Sequence, residues 1–214
     1  SDLLRARLVN AFQSKGDSLI LNDPSAFFDK NKYWRNQGSV ASEIARSNDV
    51  FIKHNFDNHD GAVPIWASVE VMSFGTLSKI IKNLKTGDES VFSILVQDYR
   101  FKNENENLIN PSKNMFTSWI HTVSIMRNIC AHNGRIYNRS TSTRPSLISA
   151  DRLNPQPRYN GLYEVMLSMK YLRPSDTSWL EFVDEFKDLL VEYSGVYEIA
   201  RMNFPNDWVN HFQI

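Results

Sequence analysis

Residues 127–135 of this 214-residue chain read R-N-I-C-A-H-N-G-R, and they bring together the side chains that a phosphodiester transfer needs. Histidine, with an ordinary pKa of about 6.5, takes and gives protons near neutrality. Arginine carries a permanent charge on a planar fork that fits two phosphate oxygens. His132 is therefore a candidate acid or base, Arg127 a candidate phosphate clamp, and Asn128 a group able to orient either one. Cleaving RNA without a metal asks for a base near the ribose 2′-OH, an acid for the leaving oxygen and a cation on the phosphate.

Spacing limits how one chain can use these groups. Asn128 and His132 stand four apart, so on a helix they share a face; Arg127, five before the histidine, lies about 140° around it. One helix aims Arg127 and His132 apart, whereas two such helices packed across a twofold axis combine them in one groove. Asn133-Gly134 is a helix-stopping pair, which puts His132 in the last turn, where unpaired carbonyls favour a protonated ring. Spacing alone leaves another reading open, in which the histidine caps its own helix and the arginine pairs with an acidic one.

The elements that must hold this cluster are helical. Phe116, Trp119, Ile120, Val123, Met126 and Cys130 recur at three- and four-residue steps and predict a core-facing helix that runs into the motif. A second stripe, Trp66, Val69, Met72, Leu77, Ile80, Ile81 and Leu84, follows Pro64 and predicts one helix with Gly75 inside it, which either a close helix crossing or local flexibility would explain. A third, Trp179 to Tyr193, is expected to start at Ser178, with Glu181 completing a capping box. Weaker helical segments cover about 2–14, 40–54, 88–100 and 160–172. Strand signals are nearly absent, and residues 136–157, rich in Ser, Thr, Asn, Arg and Pro, read as one long loop. The expected fold is all-α: a single helical bundle over 1–214 with a long basic loop after the motif helix. Ser1 stands where a methionine would, as expected if N-terminal sequence has been trimmed.

Composition narrows the function classes. With 42% hydrophobic and 12% aromatic residues the chain can bury an ordinary core. No apolar run reaches the roughly 20 residues that span a bilayer, and one cysteine rules out an internal disulfide framework, so a reducing cytoplasm is expected. Net charge is zero, but it is sorted along the chain. Residues 127–158 hold six arginines against Asp151, and residues 176–198 hold seven acids against Lys187. That sorting fits either a polyanion-binding stretch or two faces that attract each other.

Other candidates are weaker. His54 and His59 near Asp57 and Asp60 suggest a metal at first sight, yet no further Cys or His follows at usable spacing, so no metal or other cofactor is expected. His121 reads as an interior histidine and Cys130 as a small core residue. Tyr33, Trp34 and Arg35 could stack a base or anchor a helix. There is no phosphate-cradling glycine loop, zincin motif or Gly-x-Ser-x-Gly elbow.

R-N-I-C-A-H at 127–132 resembles the Arg-x4–6-His signature of HEPN-superfamily ribonucleases. The wider pattern resembles the Abi-like (AbiD/AbiF type) abortive-infection family, through P-I-W-A-S-V-E-V-M-S-F-G-T-L-S (64–78), M-R-N-I-C-A-H-N-G-R-I-Y-N (126–138) and M-N-F-P-N-D-W (202–208), with E-I-A-R-S-N-D-V-F-I-K-H (43–54) leading into the first. The resemblance implies an all-α fold, dimerisation through the motif helices, and metal-independent RNA cleavage in a phage-defence or toxin–antitoxin locus, checked by an RNA or protein antitoxin. It implies catalytic Arg127, Asn128 and His132, with Asn133, Arg135 and Asn138 beside them. The RNA track expected from these and the later arginines is Asn133, Arg135, Asn138, Arg139 and Arg144. Glu70, Ser73 and Gly75 match a family block that holds the motif helix. Asn203 departs from an expected glycine and puts its turn in doubt. Related proteins carry a tyrosine two residues after the histidine; Gly134 stands there instead, which disfavours their nucleotidyltransferase-controlled mechanism. The leading expectation is a sequence-loose endoribonuclease that leaves a 2′,3′-cyclic phosphate. The alternatives are a non-cleaving dimer that recognises structured RNA, and a purely protein-binding dimer.

Overall fold

The structure is a computed structural model that describes residues 2–214. It is all-α apart from one two-stranded hairpin. Contacts divide the chain into two compact units, Ser1–Asp98 and Tyr99–Ile214. Among the described residues no helix is long and apolar enough to cross a membrane.

The first unit holds α1 (Asp2–Gln13), α2 (Lys30–Arg46), α3 (Val50–Asn58), α4 (Ile65–Val71), α5 (Phe74–Asn83) and α6 (Val91–Val96). Helix α1 buries Leu4, Leu8, Ala11 and Phe12 and packs on α4 and α6, while α2 packs on α4 and α5. Fully burying side chains such as Phe12 or Ile65 stabilises the fold by about 1.5–3 kcal/mol each. Asp29 starts α2 by accepting the Lys32 N–H at 3.0 Å. The 40–54 segment proves to be two helices, because the chain is extended at Ser47 and at Asp49 between α2 and α3.

The stripe from Trp66 to Leu84 is likewise two helices rather than one. Ser73 takes an extended conformation and its Oγ accepts the Thr76 N–H at 3.2 Å, which caps a new helix, α5. Arg5 closes the end of α4, donating to the carbonyls of Val69, Glu70 (2.7 Å) and Met72 (2.9 Å). Glu43 joins the two sides by accepting from the Ser73 N–H and the Thr76 hydroxyl, each at 3.0 Å. Gly75 thus sits at a helix start. The expected close crossing is absent, since a Cβ there would meet only Ser73 Oγ, at 3.8 Å.

The second unit begins with the hairpin β1 (Phe101–Lys102) and β2 (Leu108–Ile109), antiparallel with Phe101 opposite Ile109. Then come α7 (Lys113–Ala131), α8 (Leu162–Tyr171), α9 (Asp176–Glu192) and the short α10 (Trp208–His211). Helices α7 and α8 pack together, with the Trp119 and Tyr171 rings 4.6 Å apart between centroids. Helix α9 starts three residues earlier than expected: Ser175 is its cap and accepts the Ser178 N–H at 3.1 Å. Its stripe also ends early, because Leu189 and Tyr193 are exposed.

Candidate functional site

Helix α7 positions the motif. Ser112 caps it by accepting the Met115 N–H at 3.3 Å, and 19 residues at about 1.5 Å each make it about 28 Å long. Its core side carries Phe116, Trp119, Ile120 and Met126. Beyond Met126 the helix outruns its packing partners. Arg127 and Cys130 lie at the angular phase of the core residues, yet both are exposed. Cys130 is therefore an exposed thiol, not the small core residue expected. His121 is also exposed rather than interior. At about 100° per residue His121 falls on the outward row with Asn128 and His132, a placement the helical phase of the sequence already contained.

The end of α7 is a Schellman turn built by the Asn133-Gly134 pair. His132 is the cap residue, Asn133 adopts the left-handed conformation at φ 52°, and its N–H donates to the Cys130 carbonyl at 3.0 Å. The Gly134 N–H donates to the Ile129 carbonyl at 2.8 Å. A Cβ on Gly134 would lie 2.9 Å from both that carbonyl oxygen and the Ile129 Cγ2, so only glycine fits. This gives the steric reason why no tyrosine stands two residues after the histidine.

Arg127, Asn128 and His132 all project into solvent. Arg127 donates to the Asn128 side-chain oxygen at 3.3 Å. The His132 backbone N–H belongs to the helix, donating to the Asn128 carbonyl at 3.2 Å, while its ring has no hydrogen-bond or ionic partner among the described residues. The His132 ring does not cap the helix, and among the described residues Arg127 meets no acid of α9.

The loop that follows is ordered by specific bonds. Trp119 Nε1 donates to the Ser146 carbonyl at 2.7 Å, and the Ser146 N–H donates to Ser118 Oγ at 2.9 Å, so α7 itself holds the loop. Arg135, Asn138 and Arg139 are exposed, with Asn138 left-handed at φ 52° and Arg139 donating to the Arg135 carbonyl at 3.5 Å. Tyr137 turns away from the motif and accepts the Glu198 N–H at 3.1 Å. Arg144 is spent inside the loop, donating to Asn160 Oδ1 (3.1 Å), Gln156 Oε1 (3.0 Å) and the Pro157 carbonyl (2.7 Å). The structure thus gathers Arg127, Asn128, His132 and Asn133 at one helix end and gives Arg144 a loop-holding role. Among the described residues none of the six arginines of 127–158 forms an ion pair; Arg158 instead lies 5.2 Å over the Tyr159 ring.

Asp151 escaped the sequence reading, although it is the lone acid of the basic stretch. It is buried, accepts the Tyr171 hydroxyl at 2.7 Å, and lies 3.5 Å from His211 Nδ1 and 3.9 Å from Lys170 Nζ. Burial holds the Lys170 ammonium below its ordinary pKa, with Asp151 opposing that shift, and burial followed by the Asp151 charge pushes the Tyr171 phenol up. This network ties the loop to α8 and α10. Asn203 does not break its turn: it is left-handed at φ 69°, where asparagine is tolerated after glycine. Of the metal candidates, His54 and His59 stack edge to face at 5.3 Å, and among the described residues no group of three or more His, Cys, Asp or Glu is placed to hold a metal.

A family model described as "Abi-like protein" matches residues 2–138, from α1 through the motif turn to Asn138. The block at 202–208 lies outside the matched residues. No curated protein and no solved structure matches the chain.

Proposed function

The chain belongs to the Abi-like protein family, and on that premise we propose that it is a metal-independent endoribonuclease of the HEPN type, acting in abortive infection as a homodimer through the α7 helices. The observation that carries this reading is the exposed motif end of α7, where Arg127, Asn128 and His132 stand together beside arginines that no carboxylate neutralises. A cationic surface without internal partners is suited to a polyanion. His132 gives a single chain one proton-transfer group per site. Two copies supply two.

In the proposed reaction the His132 ring of one copy takes the ribose 2′-OH proton as O2′ attacks phosphorus. The bond from phosphorus to O5′ breaks, and the protonated His132 of the second copy gives its proton to O5′. Arg127, held by Asn128, binds the phosphate oxygens as negative charge builds on them. The products are a 2′,3′-cyclic phosphate and a 5′-hydroxyl. An RNA or protein antitoxin covering this exposed end in the cytoplasm would hold the activity in check.

A second reading is a dimer that recognises structured RNA without cutting it. The unpartnered His132 ring favours it, because catalytic histidines are usually oriented by a neighbour. The test is RNA cleavage in excess EDTA by wild type and His132→Ala, after circular dichroism shows both equally folded. Cutting by wild type alone, with cyclic-phosphate ends and a loss of about 10²–10⁴ in the variant, is expected. Intact RNA with both proteins, under conditions where both bind it, moves the assignment to the binding dimer. Equal cutting by both removes His132 from the site.

A further inference from the structure

In the first unit a cationic surface is assembled from two helices far apart in sequence, with Lys32 paired to Asp29 at 3.4 Å. Helix α2 carries Lys30, Lys32, Arg35 and Arg46 against Glu43, and α5 adds Lys79 and Lys82 with no acid. Where α2 and α5 pack, they enclose an open groove of about 520 Å³ with Arg35 and Arg46 along one wall and Lys79 on the other. Residues 35, 39, 42 and 46 recur at three- and four-residue steps, so they form one row along α2, and the two arginines stand about 16 Å apart at its ends.

Three features separate this groove from an ordinary solvated face. The first is that two of its three cations are uncommitted: the side chains of Arg35 and Lys79 make no hydrogen bond or ion pair among the described residues, while Arg46 Nε donates to the Ser42 carbonyl at 3.1 Å. The second is that Glu43, its one acid, is fixed by accepting from the Ser73 N–H and the Thr76 hydroxyl, so three cations face one carboxylate. The third is Gly38, in the middle of α2, where glycine weakens a helix. Beyond its chain neighbours and the backbone of its own helix, nothing lies within 4 Å of the position its Cβ would take. Packing does not demand this glycine, and the open space beside it leaves the middle of the groove clear. Small hydroxyl residues, Ser39 and Ser42, continue the same floor. One turn before Gly38, Trp34 leaves 63% of its surface open, while the neighbouring Tyr33 is the buried anchor, its hydroxyl donating to the Asn22 carbonyl at 2.7 Å. Trp34 does not line the groove; it precedes Arg35, about 100° around α2, and its exposed ring offers a stacking face to a base at the groove's margin.

We propose that the α2–α5 groove is a sequence-tolerant track for single-stranded RNA, with Arg35, Arg46 and Lys79 on the phosphates and Trp34 stacking a base. This deepens the ribonuclease reading and rests on it only in taking RNA as the polyanion. It differs from a protein-docking face in having a polar, cationic floor rather than an apolar one.

The probe is a fluorescein-labelled 20-nucleotide 2′-O-methyl RNA of mixed sequence, which lacks the attacking hydroxyl. Anisotropy is measured with the full chain in EDTA from 50 to 200 mM salt. Arg35→Ala/Lys79→Ala should weaken binding at least fivefold at 50 mM salt. Its slope of log K against log salt should fall by about 1.4, at about 0.7 per phosphate contact on a single strand. Gly38→Glu, which puts an acid into open space on a helix that tolerates it, should weaken binding similarly, and Trp34→Ala should weaken it without changing the slope. Circular dichroism confirms that each variant is folded. If wild type binds this RNA and the double variant and Gly38→Glu match it in affinity and slope, the track is wrong while the ribonuclease reading stands. If wild type does not bind at 50 mM salt, the RNA reading itself fails and the track with it. If the same variants lose affinity for labelled polyglutamate but not for RNA, the groove takes an acidic protein and the track is overturned.

Discussion

Replacing Asn203 separates a backbone requirement from a buried polar one. The Asn203 side-chain amide donates to the Tyr159 carbonyl at 2.7 Å and to both Glu164 oxygens at 3.0 and 3.1 Å, while Glu164 also accepts the Gly161 N–H at 2.7 Å. Asn203→Gly keeps the left-handed conformation and loses only the amide. A bond to a carboxylate contributes about 1.5–3 kcal/mol and one to a carbonyl about 0.5–1.5, so the loss should be about 2–4 kcal/mol. Asn203→Ala should lose about 1–2 kcal/mol more, the cost of a Cβ in the left-handed region. The two effects differ in pH dependence. Burial holds the Glu164 carboxyl above its ordinary pKa, opposed by the Gly161 N–H and the Asn203 amide. An acid whose folded pKa is raised binds its proton more tightly folded than unfolded. Its contribution to stability is therefore complete below the unfolded value and is lost as pH rises through the folded one. Without the amide the folded pKa rises further. The cost of Asn203→Gly relative to wild type should then be largest near pH 8 and shrink toward pH 5, while the extra cost of alanine stays constant. Urea titrations followed by circular dichroism at both pH values measure this. A glycine penalty that does not change with pH would refute the carboxylate as its source, and an alanine variant no worse than glycine would refute the conformational part.

Two shorter predictions follow from α7. Gly134→Ala forces a methyl to within 2.9 Å of the Ile129 carbonyl, so the turn that ends α7 must shift at a cost of about 1–3 kcal/mol. Melting and EDTA-resistant cleavage should fall together although no proposed catalytic group is altered, and an unchanged melting curve would show that the turn yields freely. Thr122 is buried and its hydroxyl has no hydrogen-bond partner among the described residues. Thr122→Val removes an unsatisfied donor and keeps the branched shape, so it should gain about 1 kcal/mol and raise Tm by about 2–4 °C; a lower Tm would mean that the hydroxyl is satisfied.

Periodicity along the chain determined the class of fold and the motif's helix. Apolar steps of three and four from Phe116 to Met126, ended by Asn133-Gly134, specify a helix that stops just past His132, because both signals are local and act within one or two turns. The residues that make the motif a candidate site were legible for the same reason. What the sequence left undecided depends on packing between distant segments. The angular phase put Cys130 with the core, yet it is exposed, since only the tertiary structure decides where α7 outruns its neighbours. The run from Trp66 to Leu84 carried one continuous stripe, and it was Arg5 and Glu43, reaching in from α1 and α2, that secured the break at Ser73. Charge counted along the chain found the arginines of 127–158 and missed the α2–α5 groove, because Arg35 and Lys79 are 44 positions apart in sequence and become neighbours only when the helices pack. Local signals name the elements and their ends; which faces remain open to a ligand is settled by how those elements cover one another.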